Sequence, residues 1–192
     1  MRFYFVSCVS SVLAYQIDMS QGSMREIGVR DIVLEQDEEV TMRFDQQSGT
    51  GYTWISNLTK EGKTVSLVDR WTVSNSELAG GPASDFWKVS GVTEGSVDIM
   101  MAYVRPWTFD AAQLEQPMAT WGEKAEDAYQ LKFNVVSKVG RVDVNSEKDT
   151  NVYGSEGDYW RITLHENPST GFRWAIKSDG PVKVIQTNFE PA

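Results

Sequence analysis

The chain has 192 residues, 41% of them hydrophobic and 11% aromatic, enough for one or two small domains with a real core. Its formal net charge is -9 with no basic run, which argues against nucleic acid or an anionic membrane surface as partner. The acidity is spread along the chain rather than gathered in a tail, which reads as solubility.

The N-terminus reads Met1-Arg2, then an apolar and small stretch from Phe3 to Ala14, then Tyr15-Gln16-Ile17-Asp18. One positive charge, a short apolar core and Val12-Leu13-Ala14 predict a secretory signal, residues 1–14, cut after Ala14; a buried first strand is the competing reading. The signal places the mature protein outside the cell or in the lumen of the secretory or lysosomal pathway. No later run is long enough to span a membrane. Cys8 is the only cysteine and leaves with the signal, so the mature chain has no disulfide, no thiolate nucleophile and no Cys-based metal site.

Residues 15 to about 25 are polar and expected to be loose. Val29, Ile32, Val33 and Leu34 mark a first strand, and Glu35 to Glu39 an acidic turn. Val40, Met42 and Phe44 alternate with polar residues, the pattern of a half-buried strand. A loop follows, Ser48-Gly49-Thr50-Gly51, and the chain re-emerges as a strand over Tyr52 to Ile55. Asn57-Leu58-Thr59 is a glycosylation sequon. Val65 to Val68 and Trp71 to Val73 read as two short strands, followed by a second glycine-rich loop, Leu78-Ala79-Gly80-Gly81-Pro82. Phe86 to Val92 and then Val97, Ile99, Met101 and Tyr103 give two more strands, the latter ending at Arg105-Pro106-Trp107. Residues 108–121 break the rhythm, with one or two helical turns expected over Asp110 to Gln116. An apolar stretch of this kind is expected to pack over the body rather than reach a partner. Tyr129, Leu131, Phe133 and Val135 form the last strand.

At least seven short strands over about 110 residues, with turns between them and no long helical period, predict an all-β, immunoglobulin-like antiparallel β-sandwich over residues 25–139. From about Gly140 the pattern starts again. An offset of 120 residues places Thr50 on Thr170, Gly51 on Gly171, Tyr52 on Phe172 and Trp54 on Trp174. Val40, Met42 and Phe44 fall on Trp160, Ile162 and Leu164. Val152 and Tyr153 match the first strand, Phe172 to Ile176 the third, and Val182 to Ile185 a fourth. Residues 140–192 are therefore expected to be an incomplete second copy, without counterparts of Gly80-Gly81 or Arg105-Pro106-Trp107.

Three segments of the first copy are chemically unusual for plain connections. Gly49-Thr50-Gly51-Tyr52 and Ala79-Gly80-Gly81 permit positive φ and close approach of another backbone. Arg105-Pro106-Trp107 presents an aromatic and a cation of the kinds that dominate interface energetics. In this order they resemble the chagasin-like inhibitors of papain-family cysteine proteases, which carry Asn-Pro-Thr-Thr-Gly-Tyr/Phe-x-Trp, Gly-x-Gly-Gly and Arg-Pro-Trp/Phe. The second copy matches the first motif as Asn167-Pro168-Ser169-Thr170-Gly171-Phe172-Arg173-Trp174. The first copy keeps Thr50-Gly51-Tyr52 and Trp54 but has Gln47-Ser48 in place of Asn-Pro. Leu78 replaces the first Gly of the second motif, and the third motif is intact.

The resemblance implies a non-enzymatic, reversible and non-covalent inhibitor with no cofactor. Its three loops lie at one end of the sandwich and plug the cleft of a papain-like cysteine protease, endogenous or of a host. The first loop enters nearest the catalytic cysteine, Thr50 Oγ1 serving as donor or acceptor. Trp107 stacks beside the cleft, and Arg105 bonds either an enzyme carboxylate or a carbonyl of its own loops. Loss of Asn-Pro predicts a looser first loop.

Two other classes compete. An enzyme lacks support: the mature chain has no cysteine and a single histidine, His165, which excludes a triad or a multi-histidine metal site. An immunoglobulin-like adhesion or carbohydrate-binding module could use the same end loops, because fold alone does not decide function.

Overall fold

A computed structural model describes residues 2–6, 15–19, 28–144, 151–164, 175 and 182–188. Its strands are β1 (Arg2–Val6), β2 (Tyr15–Asp18), β3 (Gly28–Glu35), β4 (Glu39–Gln47), β5 (Thr53–Ser56), β6 (Val65–Ser74), β7 (Pro82–Gly91), β8 (Gly95–Val104), β9 (Ala125–Val136), β10 (Gly140–Val144), β11 (Tyr159–Leu164) and β12 (Lys183–Asn188). The chain divides into two compact units, residues 14–137 and residues 1–13 with 138–192.

The unit 14–137 is a sandwich of two four-stranded sheets, ordered β2-β4-β7-β6 and β3-β9-β8-β5. Alternation builds it. Val40, Met42 and Phe44 of β4 are turned inward and buried, as are Leu131, Phe133 and Val135 of β9. Between the sheets Trp54 packs against Phe44, ring centroids 4.7 Å apart, and stacks on Tyr129 at 5.6 Å. Most pairings are antiparallel. The two edge strands from the N-terminal segment are parallel, β2 along β4 and β3 along β9. Residues 15–19 are thus part of the sandwich rather than loose. Ile17 and Met19 point into the core, and Asp18 pairs with Arg43 at 2.8 Å. The two short strands expected near residues 65–73 are one strand, β6, continuous across a register shift between Leu67 and Asp69.

One polar network crosses the core. The Asp85 carboxylate on β7 is fully buried and accepts from Arg70 Nη2 at 2.7 Å, Arg70 Nε at 3.2 Å and Trp87 Nε1 at 3.0 Å. Arg70 Nη2 also donates to the Trp54 carbonyl at 2.9 Å, tying one sheet to β5 of the other. A buried carboxylate persists only with such partners.

Residues 108–121 pack over the sandwich, as their apolar content predicts, and a short 3-10 helix at Ala111–Glu115 supplies the expected helical turn. Phe109, Leu114 and Trp121 form a satellite core with Ala102, Val104 and Ala128. These last three lie on the face of β8 and β9 that points away from Met101 and Tyr129, so this corner of the molecule has a third layer.

In the second unit β10, β11, β1 and β12 form a sheet whose described pairs are all parallel. β10 lies along β11 with Gly140 opposite Trp160, as β2 lies along β4 with Tyr15 opposite Val40. Val152 and Tyr153, expected as a strand, have no regular structure, and Tyr153 is 85% exposed. A turn follows, in which Ser155 N–H donates to Asp158 Oδ2 at 2.6 Å. The strand expected over Val182 to Ile185 is β12, beginning at Lys183. The strand expected over Phe172 to Ile176 lies, apart from Ala175, outside the described residues, as does His165.

Candidate functional site

Three loops of the sandwich unit meet at one end, and their backbone chemistry dictates how. β4 ends at Gln47, a 3-10 turn spans Ser48–Thr50, and Gly51 reverses the chain with φ of 77° before β5 begins. That left-handed conformation is cheap only for glycine. Thr50 Oγ1 donates to the Gln47 carbonyl at 2.7 Å, which closes the turn from inside. The hydroxyl proton expected to serve a partner is therefore already in use.

The second loop connects β6 to β7. Gly81 N–H donates to the Leu78 carbonyl at 3.1 Å, and Gly80 sits at φ of 78°. Ser76 Oγ accepts from Leu78 N–H at 3.1 Å and fixes the start of the turn. The first and second loops are joined directly: Gly49 N–H donates to the Gly80 carbonyl at 2.9 Å, and Gln47 Nε2 donates to the same oxygen at 3.2 Å. A Cβ at Gly49 would stand 2.7 Å from that oxygen, so glycine is required for this approach.

The third loop leaves β8 after Val104. Thr108 N–H and Thr108 Oγ1 both bond the Arg105 carbonyl, at 2.9 and 3.0 Å, making a tight turn with Trp107 at its tip. The Arg105 guanidinium lies over the Tyr52 ring, 4.6 Å from its centroid. It thus makes a cation–π contact with the first loop rather than a bond to a loop carbonyl. On the same side Trp107 covers Gly51, where a Cβ would lie 2.5 Å from Trp107 Cη2. The order across the surface is second loop, first loop, third loop.

The first loop is not loose. Gln47, standing where Asn-Pro was expected to stiffen the turn, holds it by other means. Its N–H donates to Tyr103 Oη at 2.8 Å, and its side chain reaches Gly80. Tyr103 also packs against Tyr52 at 5.3 Å and Trp54 at 5.1 Å. Neither Gln47 nor Tyr103 stood out in the sequence, because a glutamine at a strand end and a tyrosine in an alternating strand are ordinary there.

Gly49, Thr50, Gly51, Tyr52, Ala79, Gly80, Gly81, Arg105, Pro106 and Trp107 are therefore gathered at one end of one unit. Two large apolar side chains stand in open solvent at this end: Trp107, 71% exposed, and the neighbouring Leu78, 77% exposed. Asn167, Pro168, Ser169, Thr170, Gly171 and Phe172 lie outside the described residues. Among the described residues no cluster of His, Cys, Asp and Glu could hold a metal ion, and no helix is long and apolar enough to cross a membrane.

Residues 33–118 match the model of the chagasin family peptidase inhibitor I42, a segment that contains all three loops. No curated protein matches the chain. Among solved structures it is similar to the cysteine protease inhibitor EhICP2 from Entamoeba histolytica at 13% identity, over 70% of this chain and 97% of that one, with a TM-score of 0.45. It is similar to amebosin at 19% identity, over 65% and 100% of the two chains, with a TM-score of 0.45. It also resembles PbICP-C, solved in complex with falcipain-2, at 17% identity over 63% and 97%, with a TM-score of 0.41. Residues 33–118, with their glycine turns and Arg-Pro-Trp loop in place, thus match the chagasin family of peptidase inhibitors, whose members are inhibitors rather than enzymes.

Proposed function

We propose that this protein inhibits papain-like cysteine proteases reversibly and without covalent chemistry, by seating residues 49–52, 79–81 and 105–107 in the active-site cleft. The observation that carries the reading is the mutual locking of the three loops in a chagasin-family domain. Gly49 bonds Gly80, Trp107 covers Gly51, and Arg105 caps Tyr52. A surface held this way loses little conformational entropy on docking, so more of the contact energy appears as affinity. Leu78 and Trp107 supply exposed apolar area of the kind that forms the centre of a tight interface.

Resistance to cleavage follows from the same geometry. A protease cuts an extended strand, and the first loop is instead a 3-10 turn followed by a left-handed glycine. The test is titration of papain with the intact protein. Competitive inhibition, with the inhibitor recovered at unchanged mass, supports the proposal. Time-dependent covalent capture, or no inhibition at micromolar concentration, rejects it.

The target, a protease of the same cell or of a host, meets the inhibitor in a secretory or lysosomal lumen or outside the cell. The signal-like segment 1–14 supports this reading, and a cut after Ala14 leaves the compact unit from Tyr15 onward whole. The same cut removes β1 from between β11 and β12. N-terminal sequencing of the secreted product should begin at Tyr15; retention of Met1 in the mature protein rejects the signal. Residues 140–192 form an incomplete second copy in this reading, with its Thr170-Gly171 loop not required for inhibition.

A further inference from the structure

We propose that residues 108–121 form a brace that holds Trp107 in its binding position, so that Trp121 and Leu114 are positioning residues for inhibition. The inference rests on the protease-binding reading and adds a mechanical element to it.

The argument starts at the sheet. Ala102 of β8 stands directly opposite Ala128 of β9. Two alanines side by side leave a hollow on a sheet face that larger residues would fill. Phe109, Leu114 and Trp121 occupy it, with Phe109 and Trp121 edge to face at 5.4 Å. Both aromatic residues are almost completely buried, at 5% and 2% exposure, in a segment that connects two strands.

The brace is tied internally. Trp121 Nε1 donates to the Gln113 carbonyl at 2.8 Å. Asp110 N–H donates to Gln113 Oε1 at 3.0 Å and Ala112 N–H donates to Asp110 Oδ1 at 3.0 Å, so side chains at both ends of the first turn cap the short helix. Its connection to the site is short. Val104, fully buried, enters the third loop, and Phe109, also buried, leaves it. Only Arg105 to Thr108 lie between, closed by the Thr108 bonds to Arg105. Both ends of the loop that carries Trp107 are therefore fixed in the satellite core, and Trp107 in turn covers Gly51 of the first loop. Without the brace the C-terminal end of that loop would be tethered only at β9, and a 71% exposed indole would sample many rotamers before docking.

The experiment is a double-mutant cycle on the full chain, read as inhibition of papain. Trp121→Ala should weaken inhibition about tenfold or more when Trp107 is present, and less than about twofold in the Trp107→Ala background. Equal losses in both backgrounds would overturn the proposal, because the brace would then act through the whole fold or by touching the enzyme itself. If Trp121→Ala does not fold, Leu114→Ala and Trp121→Phe enter the same cycle under the same criterion. A second readout needs no protease. In protein labelled with 5-fluorotryptophan, the Trp107 resonance, assigned by its loss in Trp107→Phe, should move toward the free-indole position when the brace is weakened. An unmoved resonance counts against the brace even if papain is inhibited. A moved resonance with no inhibition by the unmutated chain would leave the brace standing and reject the protease reading.

Discussion

Trp107 lies so close over Gly51 that the glycine's missing side chain is the space the indole occupies; a Cβ there would stand 2.5 Å from Cη2. The contact joins the third loop to the first. It also explains why a glycine is needed twice at this position, once for the left-handed φ of 77° and once for the neighbour.

Gly51→Ala should therefore reduce inhibition sharply while leaving the sandwich folded. The strain of an alanine at positive φ costs on the order of 1 kcal/mol of stability. Displacement of Trp107 should cost more than that in binding. Thermal melting and a papain titration on the same sample separate the two. Equal, small effects on both would show that Trp107 does not depend on Gly51.

Two tryptophans of this domain should behave in opposite ways. Trp107→Ala should weaken binding by about 2 kcal/mol or more, the scale of an aromatic hot spot, with little change in melting temperature. Trp54→Ala should cost about 3–5 kcal/mol of stability, because Trp54 is buried between Phe44, Tyr103 and Tyr129. Denaturant titration of each variant checks this, and reversal of the pattern would mean that the roles are exchanged.

Alkali should expose Tyr129. Burial, then the neighbouring Asp127 charge, pushes its phenol from 10.0 up to about 12. The fold thus favours the neutral phenol. The stability it contributes is complete below pH 10, where the unfolded chain also keeps its proton, and is lost as pH rises from 10 toward about 12. Denaturation midpoints measured across that window should fall, and Tyr129→Phe should flatten the fall. That variant should also lose about 1 kcal/mol at neutral pH, because Tyr129 Oη donates to the Met19 carbonyl at 3.2 Å.

A chain ending at residue 139 should inhibit papain as well as the full chain does. All three loops and both sheets of the sandwich lie before that point. Residues 140–192 alone should not inhibit. A sharp loss on truncation would move the site toward Thr170 and Gly171.

Much of this was legible in the sequence because period-two burial writes itself into residue types. Val40, Met42 and Phe44, or Leu131, Phe133 and Val135, announce an inward face without any knowledge of neighbours. The glycine and Arg-Pro-Trp motifs marked the loops for a similar reason, since close backbone approach leaves few alternatives to glycine. What was hidden depends on partners distant in the chain. Ile17 and Met19 looked like part of a polar tail until β2 paired with β4. Arg105 could have met an enzyme carboxylate or its own loop carbonyls, and only the fold brought it over Tyr52. Gln47 replaced a stiffening proline by bonds to Tyr103 and Gly80, residues 56 and 33 positions away. Ala102 and Ala128 gave no sign that their smallness makes room for Phe109 and Trp121.

The central claim is that the loop end of the sandwich is the surface that meets the protease, and hydroxyl-radical footprinting of the protein free and bound to papain tests it most directly. Leu78 and Trp107, 77% and 71% exposed in the free protein, should be oxidised readily alone and strongly protected in the complex. Oxidation of both at the free rate in a saturated, inhibited complex, or protection confined to residues 167–174, would contradict the account.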